Sequence, residues 1–336
     1  TSRMNRVLVT GATGFIGTHL IGALRRAGAS VAALDLDVSN AGTPGDGVEW
    51  IPGDIFDAAR LALAARGADT VIHLVAKTHD FSTAEDEAEY HRINVLGTRR
   101  LLEACDRTAV RHIVYFSSVK AMTEQAEGIL DESFPPHPTT AYGRTKLEAE
   151  ESIRRFGLEQ GVRTTTLRLP LVYGPGNKGN VYRMIEAVDR CRFAVIGRGE
   201  NRRSMVYVGN VVEATLAVAR RRDLPGDVYL VTDGTDYTVR ELYEAIARGL
   251  DRRPMPFGVP LFAAALLARL GDVGGRVTGR MLPFNSGALA KLTGDLRFSS
   301  ERIRREVGFT PAHRLQEAID ETIRWYRGAT GGERKP

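Results

Sequence analysis

Only two cysteines, Cys105 and Cys191, occur in 336 residues, too few for a disulfide framework. Both fall in helix-like surroundings, so unpaired, buried thiols suited to a reducing compartment are expected. No run of eighteen apolar residues is present, which excludes an ordinary membrane-spanning helix. The stretch from Val259 to Leu270 comes nearest, but it is short and carries Pro260 and Arg269; it reads as a surface or subunit-contact helix. The seven histidines, at 19, 73, 79, 91, 112, 137 and 313, form no metal-ligand spacing, and no metal is expected. An excess of one charge is also lacking, at a formal +5. The basic runs at 220–222 and 302–305 lie in helical patterns and read as solvated faces, with no nucleic-acid module beside them. No internal repeat and no secretory leader are visible. The expectation is a cytoplasmic protein with neither nucleic acid nor membrane as a partner.

What is present is the ordinary composition of a globular protein, 43% hydrophobic and 26% charged, long enough for about two domains at roughly 150 residues each. Short apolar runs alternate with amphipathic helices. Strands are predicted at Arg6–Thr10, Ser30–Leu34, Glu49–Ile51, Thr70–Leu74, Ile113–Ser117 and Arg163–Arg168. Helices are predicted at Phe15–Ala27, Ala58–Ala65, Tyr90–Asp106 and Ala141–Arg155. That alternation means a parallel sheet covered on both faces, the doubly wound, Rossmann-type α/β fold class. After Pro175, proline and glycine become frequent and helices dominate, at Val181–Arg190, Val211–Arg221, Val239–Gly249 and Ala312–Tyr326. Short strands are predicted near Phe193–Ile196, Met205–Tyr207 and Val228–Val231. The division expected is therefore a dinucleotide-binding domain over 4–175, a smaller, mostly helical lobe over 176–327 with possible returns to the main sheet, and a disordered tail over 328–336.

Gly11, Gly14 and Gly17 form a GxxGxxG loop between the first strand and the first helix. Without side chains, the backbone there can turn tightly and approach a pyrophosphate, and the helix N-terminus presents unpaired N–H groups to the negative charge. Asp35 ends the second strand, where a carboxylate accepts from the adenosine ribose hydroxyls and repels a 2′-phosphate. With no arginine following, NAD is preferred over NADP. Asp54 and Ile55, at the end of the third strand, suit the adenine amino group and ring, although Asp54 also suits a turn cap.

Tyr142 and Lys146 stand four apart in AYGRTK and share a helix face. A free tyrosine, with a reference pKa of about 10, is a poor base at neutral pH; a nearby ammonium favours the phenolate and makes proton exchange with an alcohol or carbonyl feasible. Ser118, just past the strand IVYFS, can hydrogen-bond the same substrate oxygen.

The motifs TGATGFIG, VIHLVA, RINVLGT, FSS, AYGRTK, LRLPLVYGPG and RSMVYVGNVVEA occur in the order found in the extended branch of the short-chain dehydrogenase/reductase family, the NAD-dependent epimerase/dehydratase group. The chain resembles that group across residues 4 to 327. The resemblance implies NAD in the N-terminal domain, a nucleoside-diphosphate sugar (UDP-linked) under the C-terminal lobe, and a homodimer. It adds Phe15, Ile16, Leu74, Ala76 and Pro170 to the cofactor side and makes Asn94 part of the active-site scaffold. Lys77, Thr78 and Lys120 would line the sugar side, with Asn180 and Arg203 near the diphosphate.

Departures from the family pattern narrow the expectation. Val119 and Lys120 stand where a 4,6-dehydratase carries Asp-Glu, which argues against dehydration. Leu171 stands where many sugar epimerases place asparagine. The segments SSVK, LPLVYGPG, NRRSMVYVGN and GDLRFSSERIRREVGF are most similar to bacterial reductases of UDP-4-keto-6-deoxy-N-acetylhexosamines. The expected activity is therefore 4-reduction, with UDP-sugar 4-epimerisation as the alternative. Weaker alternatives are a hydroxysteroid-dehydrogenase-like oxidoreductase and a non-catalytic dinucleotide-binding protein. The catalytic groups are common to reductase and epimerase and cannot separate them.

Overall fold

The structure, a computed structural model, describes residues 4–39, 41, 46–78, 84–105, 109–125, 127–221, 223–278 and 284–330. The chain runs β1 (Arg6–Thr10), α1 (Phe15–Arg26), β2 (Ser30–Asp35), β3 (Val48–Pro52), α2 (Ala58–Ala65), β4 (Thr70–His73) and α3 (Ala84–Tyr90). A π-helical turn (His91–Leu96) leads directly into α4 (Gly97–Ala104), followed by β5 (His112–Ser118), a 3₁₀ turn (Val119–Ala121) and β6 (Ile129–Leu130). Next come α5 (Ala141–Gln160), β7 (Arg163–Leu169), β8 (Leu171–Tyr173), α6 (Asn180–Asp189), β9 (Arg202–Tyr207), α7 (Val208–Arg220), β10 (Val228–Leu230) and β11 (Asp236–Thr238). The last elements are α8 (Val239–Gly249), α9 (Leu261–Thr278), α10 (Ser286–Thr293), β12 (Arg297–Phe298), α11 (Glu301–Val307) and α12 (Leu315–Thr330).

Seven strands form one parallel sheet in the order β10-β7-β5-β4-β1-β2-β3. Strand order reverses between β1 and β4, and ligands of doubly wound sheets bind beyond the strand ends at such a point. Alternation along the strands sends residues to two cores. Val7, Val9, Ile72, Val114 and Phe116 face α1 and α7, whereas Leu8, Val71, Ile113 and Tyr115 face α2, α4 and α5. The expected Rossmann-type sheet is therefore observed, buried on both faces.

The helices start where the sequence supplies caps. Asp57 accepts from Ala59 N and Arg60 N at the start of α2, Thr140 from Gly143 N at α5, and Thr238 and Glu241 form a capping box at α8. Helix α5 stops at Gly161, whose φ of 66° is left-handed.

The smaller lobe centres on Tyr173, Ile185, Tyr207, Ile246, Ile319 and Tyr326. Its three strands lie in the order β11-β9-β8. The lobe is not one continuous stretch of chain. Helix α7 packs on α1, and β10 pairs with β7 at the edge of the main sheet, so residues 208–230 return to the larger unit.

Four local expectations differ from what is seen. The helix expected over Tyr90–Asp106 begins at Ala84, passes through the π turn and ends at Ala104; Asp106 lies outside the described residues. The strand expected at Phe193–Ile196 is reduced to a single bridge between Ile196 and Val259. Cys105 is buried as expected, but Cys191 is exposed. It sits just past the end of α6 with φ 54°, where the chain has already left the core. Helix α12 continues to Thr330, beyond the start of the tail expected at 328; residues 331–336 lie outside the described residues.

Candidate active site

The glycine loop sits at the β1 end of the switch point. Gly11 has φ 73° and donates from its N to Leu34 O at 3.0 Å. A Cβ on Gly17 would stand 2.4 Å from Gly11 O and 2.5 Å from Ala12 O, so glycine is required for the loop to fold back onto its own helix. Gly14 is the N-cap of α1, and no side chain caps that helix end. The first-turn N–H groups of Phe15 and Ile16 therefore suit an anionic group, while both side chains pack against the smaller lobe. Asp35 closes the loop from β2: its Oδ2 accepts from Thr13 N (2.9 Å) and Thr13 Oγ1 (2.8 Å), and its Oδ1 accepts from Leu36 N (2.8 Å). A tight glycine turn, an uncapped helix start and a half-buried carboxylate at the next strand end together fit a dinucleotide.

Other expected cofactor residues occupy varied settings. Asp54 Oδ1 accepts from Phe56 N at 3.0 Å and closes a turn. Ile55 is buried in the core beside Gly97. Leu74 follows β4 and donates from its N to Thr10 O at 3.0 Å; Ala76 and Pro170 are half-buried.

A buried polar chain links the glycine loop to the helix that carries Tyr142 and Lys146. The His73 ring is held between Thr10 Oγ1 (2.7 Å) and Thr98 Oγ1 (3.0 Å), and the Thr98 hydroxyl donates to Asn94 O at 2.6 Å. Asn94 Oδ1 accepts from Lys77 N at 2.9 Å, and its Nδ2 donates to Thr145 Oγ1 at 3.1 Å and Lys77 O at 3.3 Å. One side chain in the π turn thus fixes both the loop after β4 and the helix carrying Tyr142 and Lys146. Lys77 Nζ contacts Asp86 Oδ1 at 3.1 Å and lies 5.3 Å from the centre of the Tyr90 ring.

Burial, helped by the charge of Lys146, pulls His73 down to about 3, and burial chiefly pulls His112 down to about 3 as well. Both rings fold neutral. As pH falls below about 6.5 the unfolded chain gains protons that the folded chain cannot take, so stability is lost downward from that point. At pH 5 each histidine is expected to cost about 2 kcal/mol. A urea midpoint that stays level from pH 7.5 to 5 would refute this.

Ser118, Tyr142 and Lys146 converge where β5 ends and α5 begins. Ser118 Oγ accepts from Lys120 N at 3.2 Å and caps the 3₁₀ turn. Tyr142 is buried, edge-on to Tyr90, with Lys120 Nζ 5.6 Å from its ring centre. Lys146 Nζ donates to Phe116 O at 2.6 Å and lies 4.2 Å from the centre of the Tyr115 ring. Burial lowers Lys146 to about 7, opposed by the Glu150 carboxylate one turn on. Glu150 is itself clamped by Arg168 of β7, Nη2 to Oε2 at 2.7 Å, both side chains buried. The stripe Tyr142, Lys146, Glu150 therefore faces inward along α5.

Two residues that sequence reasoning passed over build this junction. A Cβ on Gly143 would lie 2.3 Å from Lys120 O, so α5 rests backbone-to-backbone on the 3₁₀ turn after Ser118. Glu124 accepts from the N and Oγ1 of both Thr139 and Thr140 and fixes the entry to α5. The glycine inside AYGRTK was the available signal for the first.

The two residues expected near a diphosphate lie in the smaller lobe. Asn180 is exposed in the first turn of α6, which starts at a loop closed by Asn177, Oδ1 accepting from Gly179 N at 2.6 Å. Arg203 is half-buried, and its Nη2 donates to Lys291 O and Gly294 O at the C-terminal end of α10. It also bridges to Leu296, which packs against the core containing Val119, next to Ser118.

A family model described as the NAD dependent epimerase/dehydratase family matches residues 7–232. The chain is 27% identical over 328 residues to the N-acetyl-alpha-D-glucosaminyl-diphospho-ditrans,octacis-undecaprenol 4-epimerase of Escherichia coli O157:H7, covering 96% of this chain and 95% of that one. It is 27% identical to the UDP-glucose 4-epimerase of Vibrio cholerae over 94% of each. The solved UDP-glucose 4-epimerase of Thermus thermophilus in complex with NAD superposes with a TM-score of 0.72 at 27% identity, over 96% of this chain and 99% of that one.

Proposed function

We propose, from the premise that this chain belongs to the NAD dependent epimerase/dehydratase family, that it interconverts C4 epimers of a nucleoside-diphosphate sugar, UDP-linked. The junction of Ser118, Tyr142 and Lys146 at the end of β5 supports redox chemistry at C4, and the likeness to 4-epimerases carries the choice of epimerisation. Asn94 and His73 tie that junction to the cofactor loop. NAD is the enzyme's cofactor and, when bound, supplies a hydride acceptor and donor that no side chain provides.

The chain's own residues do the rest. The glycine loop and the first turn of α1 would hold the diphosphate of NAD, and Asp35 its adenosine ribose. Tyr142 takes the proton of the sugar C4 hydroxyl as the C4–H bond breaks, and returns it when the carbonyl is reduced. Ser118 donates to the developing C4 oxygen charge. Lys146, held on Phe116 O, keeps the tyrosine in place, its pKa drawn down to about 7 by burial. Lys77, Thr78 and Lys120 face the sugar, and Asn180 and Arg203 serve its diphosphate side. The active unit is a homodimer.

The motifs quoted above favour a 4-reductase, whereas the relatives just named are 4-epimerases, and on that ground epimerisation is the first reading and 4-ketoreduction the second. Cofactor stoichiometry separates them. The epimerase is expected to convert UDP-glucose or UDP-N-acetylglucosamine to the C4 epimer over many turnovers with no net change in NADH. One NADH consumed per UDP-4-keto-6-deoxy-N-acetylglucosamine reduced, with the ordinary sugars left untouched, would replace this reading by the reductase.

A further inference from the structure

Helix α9 is packed in an inverted sense. A surface helix ordinarily turns its large apolar side chains inward, yet here Ala264, Ala268 and Gly271 form the buried stripe. The opposite face presents Phe262 at 78% exposure, Leu266 at 60%, Leu270 at 58% and Val273 at 55%, with Leu267 beside them. Met255 and Phe257 just before the helix and Leu292 of α10, which packs on α9, are exposed as well. With Leu261, this makes nine of the thirteen large apolar side chains that the described residues expose, all between 255 and 292. Scattered exposed leucines need no explanation, but a concentration of this kind marks a binding surface.

Charge identifies the partner. Residues 255–292 contain four basic side chains, Arg269, Arg276, Arg280 and Lys291, against the single acid Asp272, and Arg253 lies just before them. Arg253, Arg269 and Lys291 are exposed, while Asp272 is engaged with Ser286, accepting from its N at 3.1 Å and its Oγ at 2.5 Å. Large apolar side chains flanked by cations are the composition of helices that lie in the interface of an anionic bilayer. A second copy docked through this patch would set basic residues against basic residues. None of the helices among the described residues is long and apolar enough to cross a membrane, and α9 is anchored to the protein by its alanine stripe. It is therefore suited to lie along a surface.

We infer that the outer face of α9 docks the enzyme on an anionic phospholipid surface. This revises the expectation, drawn from the lack of a spanning segment, that no membrane is involved, and it is independent of which C4 reaction the site performs. The test is sedimentation of the full chain with phosphatidylcholine vesicles and with vesicles containing a quarter phosphatidylglycerol. At low salt, binding to the anionic vesicles is expected to exceed binding to the neutral ones at least tenfold, and to weaken at 0.5 M NaCl. The double substitution Phe262→Asp and Leu266→Asp is expected to reduce it at least tenfold, with NADH affinity and thermal unfolding unchanged. Either of two results would overturn the inference. One is a protein that remains in the supernatant, or binds without regard to lipid charge. The other is a dimer in light scattering that the double substitution dissolves without any vesicle binding, which would put a second copy on this face.

Discussion

Replacing Tyr142 with phenylalanine is expected to lower kcat by about 10²–10⁴-fold, the range typical of a lost general acid–base group, while leaving the fold intact. The ring would keep its edge contact with Tyr90 and its place under Lys120 Nζ, so packing is retained and only the proton-bearing oxygen is removed. Because the proposed function puts that oxygen on the substrate's C4 hydroxyl, the loss should fall on kcat, with NAD affinity changed little. Single-turnover kinetics together with a cofactor titration would measure both. A phenylalanine variant turning over at the parent rate would remove Tyr142 from the chemistry, whichever C4 reaction the enzyme performs.

The second large effect is expected at a residue with no reactive group. Gly143→Ala places a Cβ 2.3 Å from Lys120 O and 2.9 Å from both Glu124 Oε1 and Pro138 Cβ. A backbone carbonyl cannot swing aside as a flexible side chain can, so α5 must lift from the 3₁₀ turn, carrying Tyr142 and Lys146 away from Ser118. A displacement approaching 1 Å at reacting groups can cost about 10²-fold in rate, and overpacking of this kind costs about 1–3 kcal/mol in stability. Gly157→Ala supplies the control on the same helix. Its Cβ would meet Val162 O and Thr164 Cγ2 at 2.7 Å, well along the helix from the site. Both variants should melt earlier, but only Gly143→Ala should lose turnover by two orders of magnitude. Equal kcat values for the two would mean that the close approach at Gly143 is packing alone.

The two effects differ in how they could have been foreseen. The tyrosine is legible from its spacing to lysine and from the strand ending in Ser117-Ser118, whereas the role of Gly143 depends on a carbonyl 23 residues earlier in the chain. The same contrast runs through the site. Asp35 was placed at a strand end by the short apolar run before it, and the structure adds its bonds to Thr13. Lys146 was foreseen as a cation beside tyrosine; that burial would draw it down to about 7, against the pull of a carboxylate clamped by Arg168, was not foreseen.

The doubly wound sheet, the glycine loop and the spacing of Tyr142 to Lys146 are all legible in the local pattern of the chain. Each of these is written in a pattern of two, three or four residues that the pleat of a strand or the turn of a helix converts directly into a face. Long-range packing is what joins Lys77 to Thr145 through Asn94, returns α7 and β10 to the main sheet, leaves Cys191 exposed and turns the large side chains of α9 outward. These depend on which distant segments come to rest against one another. Burial, proton affinity and exposure are properties of that encounter, and no local pattern encodes them.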